Sequence, residues 1–276
     1  MEIKKLNQNE NELVLEINDI TTSEINSLRR IMIAETPTLT IEDIEFIENS
    51  SALYEEILAN RLGLIPLITD LKSYNIKENC KCKGKGCVIC QATVKLDKKG
   101  PCTVYASDLV FEDPKIKAVD PKTPITILTE GQKLKFLATA ELGIGKDHMK
   151  FSPGIIYHIN KPIIKINNNS SKFSEFKDKY PKEAFKDGKL NEEKIINNNL
   201  QGVCEGICDD IIKVEYDDNK FILHIESFGQ LKPKEILTKA LEVFNEKLDE
   251  FSKKLKDSKP NNIQKIASKI KVPKKK

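Results

Sequence analysis

Asn26-Ser27-Leu28-Arg29-Arg30 opens, and Ala59-Asn60-Arg61-Leu62-Gly63-Leu64-Ile65-Pro66-Leu67 closes, the stretch around which this chain is organised. Between Ser23 and Leu67 the pattern reads as helix, strand, helix and extended exit. Thr21 and Glu24 stand at capping-box spacing, which starts a helix near Thr22. Ile25, Leu28, Ile31 and Met32 recur at helical spacing and form one apolar stripe. Pro37 ends that helix, because the residue before a proline is pushed out of the α region. Leu39 to Ile47 is β-rich, and a phase change between Ile41 and Ile44 predicts a bulge. Asn49-Ser50-Ser51 offers N-caps for a second helix over 52–62, with Gly63 just past its end.

Arg29 and Arg30 are adjacent, so they point about 100° apart on a helix and cannot share one buried face. Charged residues are seldom fully buried, which makes two solvated arginines the default. The alternative is a pair facing a partner, since arginine suits interfacial ion pairs.

Outward from this stretch, residues 1–20 read as a β-hairpin. Leu13, Leu15 and Ile17 alternate after a polar turn, Asn7 to Asn11. From Ile68 to Ile166 short β-like runs alternate with Gly, Pro and Asp, and Asn167 to Ser171 marks a boundary. Residues 172–211 are polar and weakly periodic. Ile212 to Tyr216 and Phe221 to Ile225, joined by Asp217-Asp218-Asn219-Lys220, read as a second hairpin. The last element is a long helix beginning at Pro233. Leu237, Leu241, Phe244, Leu248, Phe251 and Leu255 follow at alternating spacings of four and three, a heptad seam. Such a seam covers the chain's own sheet or meets a partner helix; the regular 3.5-residue period and two phenylalanines favour the partner.

Cys80-x-Cys82-x4-Cys87-x2-Cys90 is the sharpest chemical signal. Four thiolates close a tetrahedral zinc site with no open position for substrate, so its role is structural; the alternative is four unligated cysteines in a loop. Lys81, Lys83 and Lys85 sit between the ligands and offset their charge. Cys204-x3-Cys208 is weaker, and Cys102 reads as an ordinary buried cysteine. The loop Gly143-x-Gly145-Lys146-Asp147-His148-x-Lys150-Phe151-x-Pro153-Gly154 lacks the full phosphate-loop pattern and reads as a turn between strands.

Length and composition bound these readings. At 276 residues, 39% hydrophobic and 32% charged, the chain suggests two or three domains and is not disordered. No apolar run is long enough to span a membrane, and the start, Met1-Glu2-Ile3-Lys4-Lys5, lacks the core of a signal peptide, which makes the cytoplasm the expected compartment. The net charge of +3 hides an asymmetry: from Ser252 on, ten lysines and one aspartate give +9, leaving −6 on the remainder. Whole-chain charge therefore gives no case for a nucleic-acid-binding body. Residues 258–276 read as a basic disordered tail. Histidines 148, 158 and 224 have no nucleophile nearby in sequence and no Asp-rich magnesium motif occurs, so no catalytic residue is expected.

Asn26-x-Leu28-Arg29-Arg30, then Glu35-x-Pro37-Thr38, then Leu58-Ala59-x-Arg61 through Leu67, resembles the signature of the alpha-like, third-largest-subunit family of cellular RNA polymerases, in its archaeal branch. The resemblance covers residues 1–257. It implies an α+β fold: a discontinuous dimerisation domain (1–48 plus 212–257), a β-rich insert domain holding the cysteine cluster (49–168), and a reduced ferredoxin-like insert (169–211). It also implies a non-catalytic scaffold for DNA-templated RNA synthesis. The small alpha-like subunit L would pair through Leu28 and the seam of Leu237, Leu241, Phe244, Leu248 and Phe251. Small subunits N and P would join. The second-largest subunit would dock on Asn26, Arg29 and Arg30 and on Lys146, His148 and Lys150, and Arg61 would be a further partner-interface residue. Magnesium would belong to the largest subunit, and DNA and RNA would be met only in the complex, with no membrane. In relatives that carry an iron–sulfur cluster, four cysteines occupy the 198–208 region. Here Asn198 and Gln201 fill the first two places, and only Cys204 and Cys208 remain as vestiges, too few for a cluster. The rival readings are an iron–sulfur electron-transfer protein and a free zinc-containing nucleic-acid-binding protein.

Overall fold

The computed structural model describes residues 1–198 and 200–257; the basic tail expected at 258–276 lies outside them. In chain order, β1 (Glu2–Gln8), β2 (Glu12–Asn18), α1 (Thr22–Ala34), β3 (Thr38–Asn49) and α2 (Glu55–Gly63) come first. Then follow β4 (Gln91–Lys99), β5 (Cys102–Tyr105), β6 (Val110–Phe111), β7 (Pro124–Leu128), β8 (Lys133–Gly143) and β9 (Gly154–Ile166). Short elements α3 (Phe173–Phe176), β10 (Phe185–Lys186), β11 (Lys189–Leu190), α4 (Glu192–Asn197) and α5 (Gln201–Cys204) lead to β12 (Ile212–Ser227) and α6 (Pro233–Asp257). The fold is α+β, with antiparallel strand pairs throughout the registers of its sheets.

The chain divides into two compact units. One comprises Met1–Arg29 with Ile155–Glu226; the other comprises Arg30–Gly154 with the described residues from Ser227 on. In the first, a four-stranded sheet runs β1-β2-β12-β9. Its central strands are buried on both faces: Leu13 to Ile17 on β2 and Phe221 to Ile225 on β12. The expected capping box is present, with Thr21 N donating to Glu24 Oε2 at 2.8 Å and Glu24 N donating to Thr21 Oγ1 at 3.3 Å. Residues 212–227 form one strand, not the hairpin expected. The turn chemistry of Asp217 to Asn219 is satisfied locally: Asp217 Oδ1 accepts from Asn219 N, and Asn219 O accepts from Asp19 N at 3.0 Å. The backbone then continues into pairing with β2 instead of reversing. A small module on the ends of β9 and β12 has its own core, built from Ile164, Tyr180, Ala184, Ile195, Cys204 and Ile212.

In the second unit, β3-β8-β4-β6 form a sheet beside the β5-β7 ribbon. The phase change read from β3 is a register shift between Ile41 and Asp43. Leu58 and Leu62 of α2, then Ile65 and Leu67, enter the main core with Leu39 and Ile41. Each such burial contributes roughly 1.5–3 kcal/mol. The extended exit is held by Leu67 bridging Ala118 and by Val119 N donating to Pro66 O at 2.9 Å. Helix α2 begins at Glu55, later than expected, because Asn49 and Ser51 close a turn of their own. Asn49 Oδ1 accepts from Ser51 N and Oγ, and its Nδ2 reaches Leu53 O. Gly63 is the last helical residue and not the one beyond; a Cβ there would lie 3.4 Å from Ile41 O. Domain boundaries also differ from the expected ones: β9 joins the terminal strands, whereas β3 pairs with β8.

Candidate functional site

The cysteine knuckle grows from a 3-10 turn, Lys77–Asn79, and ends at the first residue of β4. Cys80 O accepts from Lys83 N at 3.0 Å and Cys82 O from Lys85 N at 3.3 Å, so the chain reverses twice. Lys83, Gly84 and Gly86 take left-handed backbone angles to do so. The result brings all four Sγ atoms within 4.8 Å of one another. Cys80–Cys87, Cys82–Cys90 and Cys87–Cys90 are 3.5, 3.6 and 3.7 Å apart. These separations exclude a disulfide, which needs about 2 Å. A tetrahedral ion with Zn–S bonds near 2.3 Å requires sulfurs about 3.8 Å apart, so the four thiols fit zinc. Cys87 N also donates to Cys90 Sγ at 3.3 Å, polarising a sulfur towards thiolate.

The thiols do not ionise alike. Burial first of all pushes Cys90 up to about 12. Burial pushes Cys82 the same way but is outweighed by hydrogen bonds from Cys80 and Cys90, leaving it at about 7. Neighbouring thiols that bond to Cys82 therefore favour its thiolate, and a bound cation would favour deprotonation further.

Cys204 and Cys208 have a different setting. Cys204 is fully buried in the small module's core, with Cys208 half-buried at its edge. Among the described residues, Cys80, Cys82, Cys87 and Cys90 form the group placed to hold a metal. Cys102, expected to be buried, is half-exposed, with its thiol on Lys99 O.

The expected contact residues fall into two classes. Arg30 is exposed, and Arg29 is half-buried with its guanidinium fixed on Asn26 Oδ1. Arg61 is exposed and donates to Pro124 O at 2.9 Å. Lys146 and His148 are exposed, and His148 Nδ1 caps the turn Met149–Phe151 by accepting from Lys150 N at 3.0 Å. Two residues depart from expectation. Leu28 is core, only 8% exposed, and so is not displayed at a seam. Lys150 turns inward, donating to Ile41 O at 3.1 Å and pairing with Glu42. Glycines 143 and 145 serve close packing, because a Cβ would meet the Phe151 ring at 2.5 Å and Ile33 O at 2.3 Å.

On α6, Ile236 and Ala240 are fully buried. Leu237 and Phe244 are half-buried, whereas Leu241, Leu248, Phe251 and Leu255 are 44, 51, 63 and 56% exposed. Most of the heptad seam is thus an open apolar stripe. Lys247 of the same helix pairs with Glu35.

A family model described as the RNA polymerase Rpb3/RpoA insert domain matches residues 39–157. The DNA-directed RNA polymerase subunit Rpo3 of Methanosarcina acetivorans is 36% identical, over 91% of this chain and 97% of that protein. The chain belongs to the Rpo3 family. The Rpo3 of Pyrococcus furiosus is 32% identical, over 92% of this chain and 97% of its own length. The Rpo3 of Picrophilus torridus is 34% identical, over 90% and 97%. The matched insert begins inside β3 and ends inside β9, ahead of the 49–168 bounds expected from sequence.

Two functional features of this Rpo3-family chain have no clear sequence signal. Glu35 reads as part of a motif and is an anchor for Lys247. Glu141, 7% exposed on β8, accepts from both Lys77 and Gln91. A carboxylate between Ala140 and Leu142, both buried, is the one available clue.

Proposed function

We propose that this chain is the non-catalytic assembly subunit of an archaeal-type RNA polymerase. It pairs with the small alpha-like subunit L, accepts small subunits N and P, and forms the platform for the second-largest subunit. Nucleotidyl transfer and its magnesium belong to the assembled enzyme, and DNA and RNA are met only there. The observation that carries this reading is the stripe of Leu241, Leu248 and Phe251, exposed along a helix whose adjoining face buries Ile236 and Ala240 in its first turns. An apolar heptad seam left open on a 25-residue helix is complementary to a second helix.

Asn26 and Arg29 in the first unit, and Arg30, Arg61, Lys146 and His148 in the second, supply polar docking residues for the larger subunit. The knuckle holds structural zinc. Family membership supports the polymerase role, and the four thiols support the metal. Co-expression with subunit L tests the core of the reading. A complex that survives gel filtration is expected; a stable, soluble monomer with no affinity for subunit L would sink it.

A further inference from the structure

Lys77 stands three residues before the first ligand, and Gln91 directly follows the last. Both reach one atom. Lys77 Nζ donates to Glu141 Oε1 at 2.8 Å, and Gln91 Nε2 donates to the same oxygen at 2.5 Å. Glu141 is opposite Gln91 in the β4–β8 ladder, so a rigid strand presents the carboxylate. Asn75 N adds a backbone bond to Ile89 O at 2.9 Å, closing the knuckle further. Gln91 is in turn held from the other side: a Cβ on Gly86 would lie 1.9 Å from Gln91 Oε1, so the glycine leaves the space the amide fills.

We propose that Glu141 is the positioning residue of the metal centre: its buried carboxylate clasps both feet of the knuckle and holds the four thiols in tetrahedral array. The proposal rests on the metal-centre reading. A loop carrying four ligands must lose its conformational freedom when an ion binds. A clasp that closes its ends beforehand removes part of that loss. A buried carboxylate also needs its partners, because an unpaired buried charge is strongly unfavourable.

The test is zinc transfer from the full-length chain to a chromophoric chelator at 25 °C. Glu141→Gln and Lys77→Met are each expected to release zinc faster, the first by about 10–100-fold, the equivalent of one hydrogen bond to a charged group. The exchanged pair Glu141→Lys with Lys77→Glu restores the ion pair and should release zinc more slowly than either single change. Lys95→Met breaks the pair between Lys95 on β4 and Glu112, just past β6, and should release zinc at the wild-type rate. A folded Glu141→Gln chain that keeps the wild-type rate overturns the clasp and leaves the metal centre standing. A wild-type chain that takes up no zinc overturns both. If Glu141→Gln does not fold, Lys77→Met at the half-exposed foot decides by the same criterion.

Discussion

Arg29 donates twice to Asn26 Oδ1, from Nε at 3.1 Å and from Nη2 at 2.8 Å. The three-residue spacing stacks the two side chains on one face of α1. Asn26 thus fixes the plane of the guanidinium, and a fixed fork loses less freedom when it meets a carboxylate. Asn26→Ala should leave the thermal midpoint within the range of one half-buried hydrogen bond, about 1 kcal/mol. It should weaken capture of the second-largest subunit in a pull-down by several-fold, and Arg29→Ala should weaken it further. Wild-type capture by both variants would remove this face from the docking surface.

The metal centre makes a direct prediction. Cys87→Ser should lower zinc content by about one ion per chain, because three thiolates leave the tetrahedron open. Metal analysis reads the loss. The wild-type chain should be colourless, since Cys204 is enclosed by apolar side chains and an iron–sulfur cluster needs about four ligands. Visible absorption from a reconstituted sample would contradict this.

Helix α6 separates stability from assembly. Ile236→Ala removes a fully buried side chain and should destabilise the chain by about 2–5 kcal/mol. Phe251→Asp changes a residue that is 63% exposed and should leave the thermal midpoint of the isolated chain nearly unchanged. The same change should abolish pairing with subunit L. If Phe251→Asp pairs normally, the stripe faces something else.

Acid stability tests the pair of Glu16 and Lys161, 2.7 Å apart on the first sheet. Burial pushes the Glu16 carboxyl up, but the hydrogen bond and charge of Lys161 outweigh it and hold the group below its ordinary 4.5. Glu16 therefore contributes stability that is fully present above 4.5 and lost as pH falls through its lower folded value. Lys161→Met leaves a buried acceptor short of its partner, at a cost of about 1–3 kcal/mol at pH 7. Without Lys161, burial is opposed only by the weaker pulls of Asn18 and Lys4, so the carboxyl moves up from its wild-type position, and acidification from pH 7 to 5 should narrow the gap to wild type. Midpoints recorded across that range show a narrowing gap or refute the assignment.

Local chemistry is legible in the sequence where it is self-contained. The cap of Thr21 and Glu24, the bulge after Ile41 and the spacing of the four cysteines each depend on residues a few positions apart. The long seam is legible as a period, but only exposure says which way it faces. What the sequence conceals depends on distant partners. Asp217 to Asn219 carries turn residues, yet pairing with β2 keeps the strand running. A motif makes Leu28 and Lys150 look like contacts, and they are claimed instead by this chain's core and by Ile41 O. Glu141 acquires its role only when β8 lies beside β4, a pairing that no local pattern encodes.

The small module enters and leaves through one point. Asn167 N donates to Ile211 O at 2.8 Å, so the chain departs from β9 and re-enters β12 almost where it left. Topologically, the 43 residues between them occupy the place of a hairpin's tight turn. A segment attached this way can be enlarged or trimmed without disturbing the register of the sheet that carries it. Its private apolar core, which encloses Cys204, gives the module packing of its own beyond that sheet.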